Sequence, residues 1–175
     1  MFCRRRCRLE EDEAAATAAE FKQRMTPEAL IFYAEGTMRE KTLEQLEGAV
    51  WNAPDPDSYL AATCHALRRK PLGDFSVEDL RIMIGQGIGL SHLLPLALDV
   101  LEQDPWAEGD YYPGDLLAGV LRVERGYWKQ APQVWARLRA LVARLDDIPQ
   151  NMQESIAAFR AQEKSCGELT KGEQP

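Results

Sequence analysis

Six carboxylates and no cation occupy residues 99–115: Asp99, Glu102, Asp104, Glu108, Asp110 and Asp115. The last three fall in "EGDYYPGDLL" (108–117), among two tyrosines, two glycines and a proline, just ahead of a leucine-rich run. Such residues support four kinds of chemistry. Paired carboxylates can do acid–base hydrolysis, with Asp110 or Asp115 as the working group, but that needs a cleft and substrate-positioning groups. A calcium loop alternates its oxygen ligands more regularly than "DPWAEGDYYPGD" does. In a structural role, Asp115 caps a helix starting at Leu116, Pro113–Gly114 makes the preceding turn, and Trp106, Tyr111 or Tyr112 packs back on the core. In a binding role, carboxylates steer and orient a basic protein while the aromatic rings anchor it.

Elsewhere the chain offers little chemistry. "GQGIG" (85–89) follows a helix and has no lysine suitably placed, whereas a phosphate loop follows a strand and aims a helix N-terminus at its ligand. Gly85 and Gly87 are better read as allowing close helix approach and a left-handed turn. His65 adjoins Cys64, but neighbours on a helix point about 100° apart. His92 lies in the first turn of an apolar helix. No usual zinc spacing can be assembled, so neither a metal nor a cofactor is expected.

The chain has 175 residues, 45% of them hydrophobic, enough for a substantial core. Its net charge of -7 conceals an asymmetry, because Arg4, Arg5, Arg6 and Arg8 crowd the N-terminus. The remainder carries 17 basic and 28 acidic groups, a net -11. An acidic body disfavours direct nucleic-acid binding, which requires a basic face, and favours a positively charged protein partner. Four scattered cysteines form no disulfide framework, which suggests a reduced, cytoplasmic protein. "MFCRRRCRLEEDE" lacks the apolar run of a secretory signal, and no stretch of about 18 apolar residues offers a membrane span.

The elements that must position the acidic stretch read as helices throughout. Residues 1–12 are expected to form a poorly ordered arm, 13–162 an all-α domain of packed helical hairpins, and 163–175 a polar tail. Thr26 with Pro27, Thr42 with Gln45, and Ser76 with Asp79 read as helix starts, and Gly48 as a stop. A helix from Asp57 or Ser58 places Leu60, Cys64 and Leu67 on one face and ends in "RRK", cations suited to a helix C-terminus. Leu80, Ile84 and Ile88 form the next stripe. Pro95 is tolerated if Ser91 caps its helix, because it then falls in the first turn. Trp135, Leu138, Leu141, Val142 and Leu145, and then Met152, Ile156 and Phe159, complete the apolar faces. "DLRIMIGQGIG…LLPLALDVLEQDP" and "DLLAGVLRVERG…APQVWARLRALVARLDDIP" echo one another as two similar α-hairpins.

The run "FSVEDLRIMIGQGIGLSHLLPLALDVLEQDPWAEGDYYPGDLLAGVL", preceded by "KTLEQLEG" and "LRRKPL", resembles the immunity proteins of bacterial contact-dependent growth inhibition (CDI) systems. The resemblance spans about residues 41–128. It implies a non-enzymatic cytoplasmic protein that binds the C-terminal toxin domain of a CDI exoprotein, commonly covering its active site. Many such domains are nucleases, whose basic substrate site an acidic inhibitor would mimic. On this reading Glu108, Asp110, Tyr111 and Tyr112 are the first candidates for contact, with Asp99 and Glu102 as supports on the preceding helix. The alternatives are a small hydrolase and a generic helical adaptor. If contact residues differ between relatives, the recognisable loop is instead scaffold.

Overall fold

Local capping signals set the first helices. The computed structural model describes residues 36, 38–53 and 57–167, with side chains to residue 161. The expected N-terminal arm and the Thr26–Pro27 helix start lie outside these residues. Helix α1 (Leu43–Glu47) opens with a reciprocal box: Thr42 Oγ1 accepts from the Gln45 amide, and Gln45 Oε1 accepts from the Thr42 amide. It stops at Gly48, whose φ of 63° is left-handed. Ser58 caps α2 (Tyr59–Leu67), and a short 3₁₀ turn (Leu72–Asp74) follows. Ser76 and Asp79 form a second box at the head of α3 (Val77–Gly85). Then come α4 (Leu90–Gln103), α5 (Asp115–Leu121), α6 (Arg125–Trp128), α7 (Pro132–Ala143) and α8 (Gln150–Gly167). Among the described residues the only β pairing is an isolated bridge between Thr42 and Pro71, so the fold is all-α. No described helix is long and apolar enough to cross a membrane.

Apolar spacing along these helices builds the core. Leu80, Met83 and Ile84 of α3 meet Leu93, Leu94, Ala97, Leu98 and Leu101 of α4, and Leu116, Leu117, Ala118 and Val120 of α5. α3 packs chiefly on α5 and α4, α4 on α7, and α8 on α5. Leu138, Leu141 and Val142 bring in α7, and Met152, Ile156 and Phe159 bring in α8. A row of rings, Trp128 to Trp135 to Phe159 at 5.3 and 5.1 Å, joins α6, α7 and α8. Two segments that echo in sequence pack differently: α3 returns on α4, whereas α7 packs on α4 and α6.

Three local expectations are corrected. α4 begins at Leu90 after Gly89 (φ 64°) and is not capped by Ser91, because half-buried Leu90 is drawn into the core. Pro95 is therefore its sixth residue, and the carbonyl it leaves unpaired belongs to exposed Ser91, where water can reach it. Leu60 leaves the α2 stripe and is exposed, while Cys64 and Leu67 are buried. The "RRK" cations do not simply face the helix dipole: Arg68 turns inward and is 1% exposed, and Lys70 pairs with Asp79 at 2.6 Å. α8 runs to Gly167 and so extends into the stretch expected as a polar tail.

Candidate functional site

The loop between α4 and α5 is built from behind by two carboxylates. Asp115 is the first residue of α5 and is 4% exposed. Its Oδ1 accepts from the Gly109 amide at 2.7 Å and its Oδ2 from the Tyr111 amide at 3.2 Å. Glu78, in the first turn of α3, accepts from the intervening Asp110 amide at 3.0 Å. Three successive backbone N–H groups are thus held by acids of the scaffold. Asp115 is consequently not the helix cap that sequence spacing suggests. Gly114 stands in the cap position at φ 88°, and no side chain caps the α5 amides.

A cation holds the two acids together. Arg81 donates to Glu78 through Nε at 2.6 Å and Nη2 at 2.5 Å, and its Nε lies 3.7 Å from Asp115 Oδ2. Its guanidinium also stacks over the Tyr111 ring, 4.4 Å from the centroid. Two glycines make this closeness possible. A β-carbon at Gly109 would run into the Glu78 and Asp115 carboxylates, and one at Gly114 would crowd Met152 and Trp106 at 3.2 and 3.3 Å. From the far side, Asn151 of α8 donates to the Pro113 carbonyl at 3.3 Å.

With the backbone tied inward, the candidate contact side chains separate by exposure. Glu108 and Asp110 are exposed, and Tyr111 is 70% exposed. Tyr112 is half-buried against the core, as is Trp106. Asp99 and Glu102 form a separate cluster on α4, where Arg137 of α7 donates to both at 2.9 Å. That pairing holds the Glu102 carboxyl below the usual carboxylate range. Glu78 and Arg81, which organise the loop, carry no sequence signal beyond an i,i+3 ion pair, because the residue they position lies about thirty positions further along the chain. Of the two histidines, His65 has a structural setting, meeting Trp51 edge-on at 5.2 Å. Among the described residues no group of three or more His, Cys, Asp or Glu could hold a metal ion.

The hydrogen bonds from Arg81 set the Glu78 carboxyl below the usual carboxylate range, against the opposing effects of burial and nearby Asp79. A depressed folded value stabilises the fold fully above the ordinary pKa of about 4.3, and this is lost as pH falls through the lowered value. Urea unfolding at pH 7, 4 and 3 is therefore expected to show the wild-type advantage over Glu78→Gln shrinking on the acid side. An advantage unchanged at pH 3 would show that the Glu78 charge does not support this loop.

A cleft of about 890 Å³ opens beside the loop, between the end of α3, α5 and α6. Arg81, Tyr111 and Asp115 lie on its wall, so loop and cleft share residues. A comparison with curated proteins finds no match. The profile of a family described as CDI immunity proteins matches residues 45–138, just over half of the chain. The match runs from within α1 to within α7, including both carboxylates that hold the loop, and the chain belongs to the CDI immunity proteins.

Proposed function

We propose that this protein neutralises the C-terminal toxin domain of a CDI exoprotein in the cytoplasm, by binding rather than by catalysis. The toxin is read as a nuclease, whose basic substrate site an acidic surface covers. The observation that carries the binding face is the loop fixed from behind: three consecutive amides are tied to Asp115 and Glu78 while Glu108, Asp110 and Tyr111 stay exposed. A surface ordered before encounter avoids much of the entropic cost of ordering on binding. Tyr111 supplies the aromatic anchor, Glu108 and Asp110 the steering charge, and Tyr112 the half-buried base of the loop. Asp99 and Glu102, joined by Arg137, extend the acidic field along α4.

The hydrolase alternative gains no support at Asp115 from the same geometry. Both oxygens of Asp115 are occupied by backbone amides, which suits a positioning group better than a proton carrier.

The test uses the C-terminal toxin domain of a CDI exoprotein, sought in the reading frames that neighbour the gene for this chain. Wild-type protein is expected to abolish its activity at near-stoichiometric amounts, with a Kd on the order of nanomolar or below. Changing Glu108 and Asp110 together to lysine is expected to leave the melting temperature near wild type. It should slow association, most at low salt, because exposed charges act within a Debye length of about 8–10 Å. Neutralisation at far substoichiometric amounts would argue for turnover. Unchanged association across salt concentrations would move the contact face away from this loop.

A further inference from the structure

The cleft beside the loop is kept open by residues that the fold does not otherwise need. Three of its wall residues, Gly85, Gly119 and Gly126, lie within helices α3, α5 and α6. Glycine weakens a helix relative to alanine, so it usually stands where a side chain would collide or where φ is positive. Neither applies here. A β-carbon added at any of the three meets nothing within 4 Å, and none of them has positive φ. Gly85 was expected to permit close helix approach, and no such approach occurs. What the three glycines leave is room, and a volume of about 890 Å³ falls in the range of ligand-binding clefts.

The wall chemistry narrows the occupant. Tyr111, Tyr112 and Tyr127 supply ring surface and hydroxyls. Arg81 is already answered by Glu78 and Asp115. Glu124 and Arg122, two residues apart at the junction of α5 and α6, are exposed and have no ion-pair partner among the described residues. The end of α3 at Gly85–Gly87 also forms part of the wall, and a helix C-terminus favours cations and disfavours anions. A phosphate-bearing ligand would meet Arg122 but face that unfavourable helix end. A peptide carries both what Glu124 seeks, a cation, and what Arg122 seeks, carbonyl oxygens.

We propose that this cleft takes a short segment of the toxin domain carrying a lysine or arginine. The cation lies among the tyrosine rings, Glu124 and the end of α3, and peptide carbonyls face Arg122. The proposal rests on the toxin-neutralising reading and assigns that reading a second, concave contact beside the exposed loop.

Two variants of the full chain test it. Gly119→Trp fills the cleft from a helical position where an added β-carbon meets nothing within 4 Å, and Glu124→Lys reverses the charge at an exposed site. Both are expected to melt close to wild type and to bind the toxin domain about ten-fold or more weakly. Reversing one basic toxin residue should restore binding to Glu124→Lys and not to Gly119→Trp. Folded variants that bind as wild type overturn the cleft proposal and leave the toxin reading standing. Wild-type protein that does not bind the domain overturns the toxin reading, and the cleft proposal with it. Should Gly119→Trp fail to fold, binding by Glu124→Lys decides.

Discussion

Asp115→Ala is expected to cost about 3 kcal/mol of folding stability, because hydrogen bonds to a charged acceptor contribute about 1.5–3 kcal/mol each and two are lost. For a chain of this size that lowers Tm by roughly 10 °C. The effect goes beyond the lost bonds. The Gly109 and Tyr111 amides would remain without their acceptor in a partly buried loop, and among the described residues Arg81 would keep Glu78 as its only close carboxylate. Asp115→Asn keeps the shape but can accept at only one of its two positions, so roughly half the loss is expected, on the same per-bond figure. A simple helix cap is worth about 0.5–2 kcal/mol, mostly near 1. Thermal and urea unfolding therefore separate the two roles: a loss under about 1 kcal/mol would reduce Asp115 to a cap. Toxin binding should weaken as well, since a loosened loop no longer presents Tyr111 in one orientation.

Arg68→Ala is expected to be at least as damaging, at about 3–5 kcal/mol, the range seen when one partner of a buried ion pair is removed. Arg68 is 1% exposed at the end of α2. It pairs through Nη1 with Glu47 at the end of α1, donates through Nη2 to the Ala49 carbonyl at 2.8 Å, and lies 4.2 Å from the Trp51 ring centroid. One planar group therefore fastens α1 and its following turn to α2. Its Nε is buried without a partner, so desolvation already offsets part of what the other contacts contribute. Arg68→Lys cannot reproduce the fork or the stacking and should fall between wild type and alanine. Chemical denaturation gives the magnitude, and Trp51 fluorescence reports whether the turn lets go first. An alanine variant within about 1 kcal/mol of wild type would mean that α1 is held by Leu43 and its apolar neighbours alone.

Those two residues also show where sequence reading succeeds. Signals that act over three or four positions were legible: the Thr42–Gln45 and Ser76–Asp79 boxes, the Gly48 stop, and the Met152–Ile156–Phe159 stripe all form as read. The acidic loop was legible as a site of interest, but the reason for its shape was not. Asp115 lies beside α5 in sequence, so capping was the nearest role, yet its acceptors turn back to amides four and six residues earlier. Glu78 reaches Asp110 across 32 positions, a distance at which one sequence carries no periodic signal. Arg68 was hidden in a cationic triplet whose other members reach nearby acids, Arg69 toward Glu44 at 4.0 Å and Lys70 to Asp79 at 2.6 Å. Ser91 lost its capping role to Gly89 because apolar Leu90 was worth more inside the helix than in a turn. Long-range polar pairing, rather than helix propensity, separates the expectation from the structure.

The last helix gives the family resemblance an awkward edge. The shared profile ends at residue 138, within α7, yet α8 buries Met152, Ile156 and Phe159, packs Met152 beneath Gly114, and sends Arg160 to the carbonyls of Val142 and Leu145 at 2.8 and 3.3 Å. The matched stretch is thus shorter than the piece that folds as a unit. A fragment cut where similarity fades would bare an apolar seam along α5 and α7 and unseat the acidic loop from its far side. Changes confined to α8 can therefore retune the loop without altering a residue in it, through the helix on which it leans.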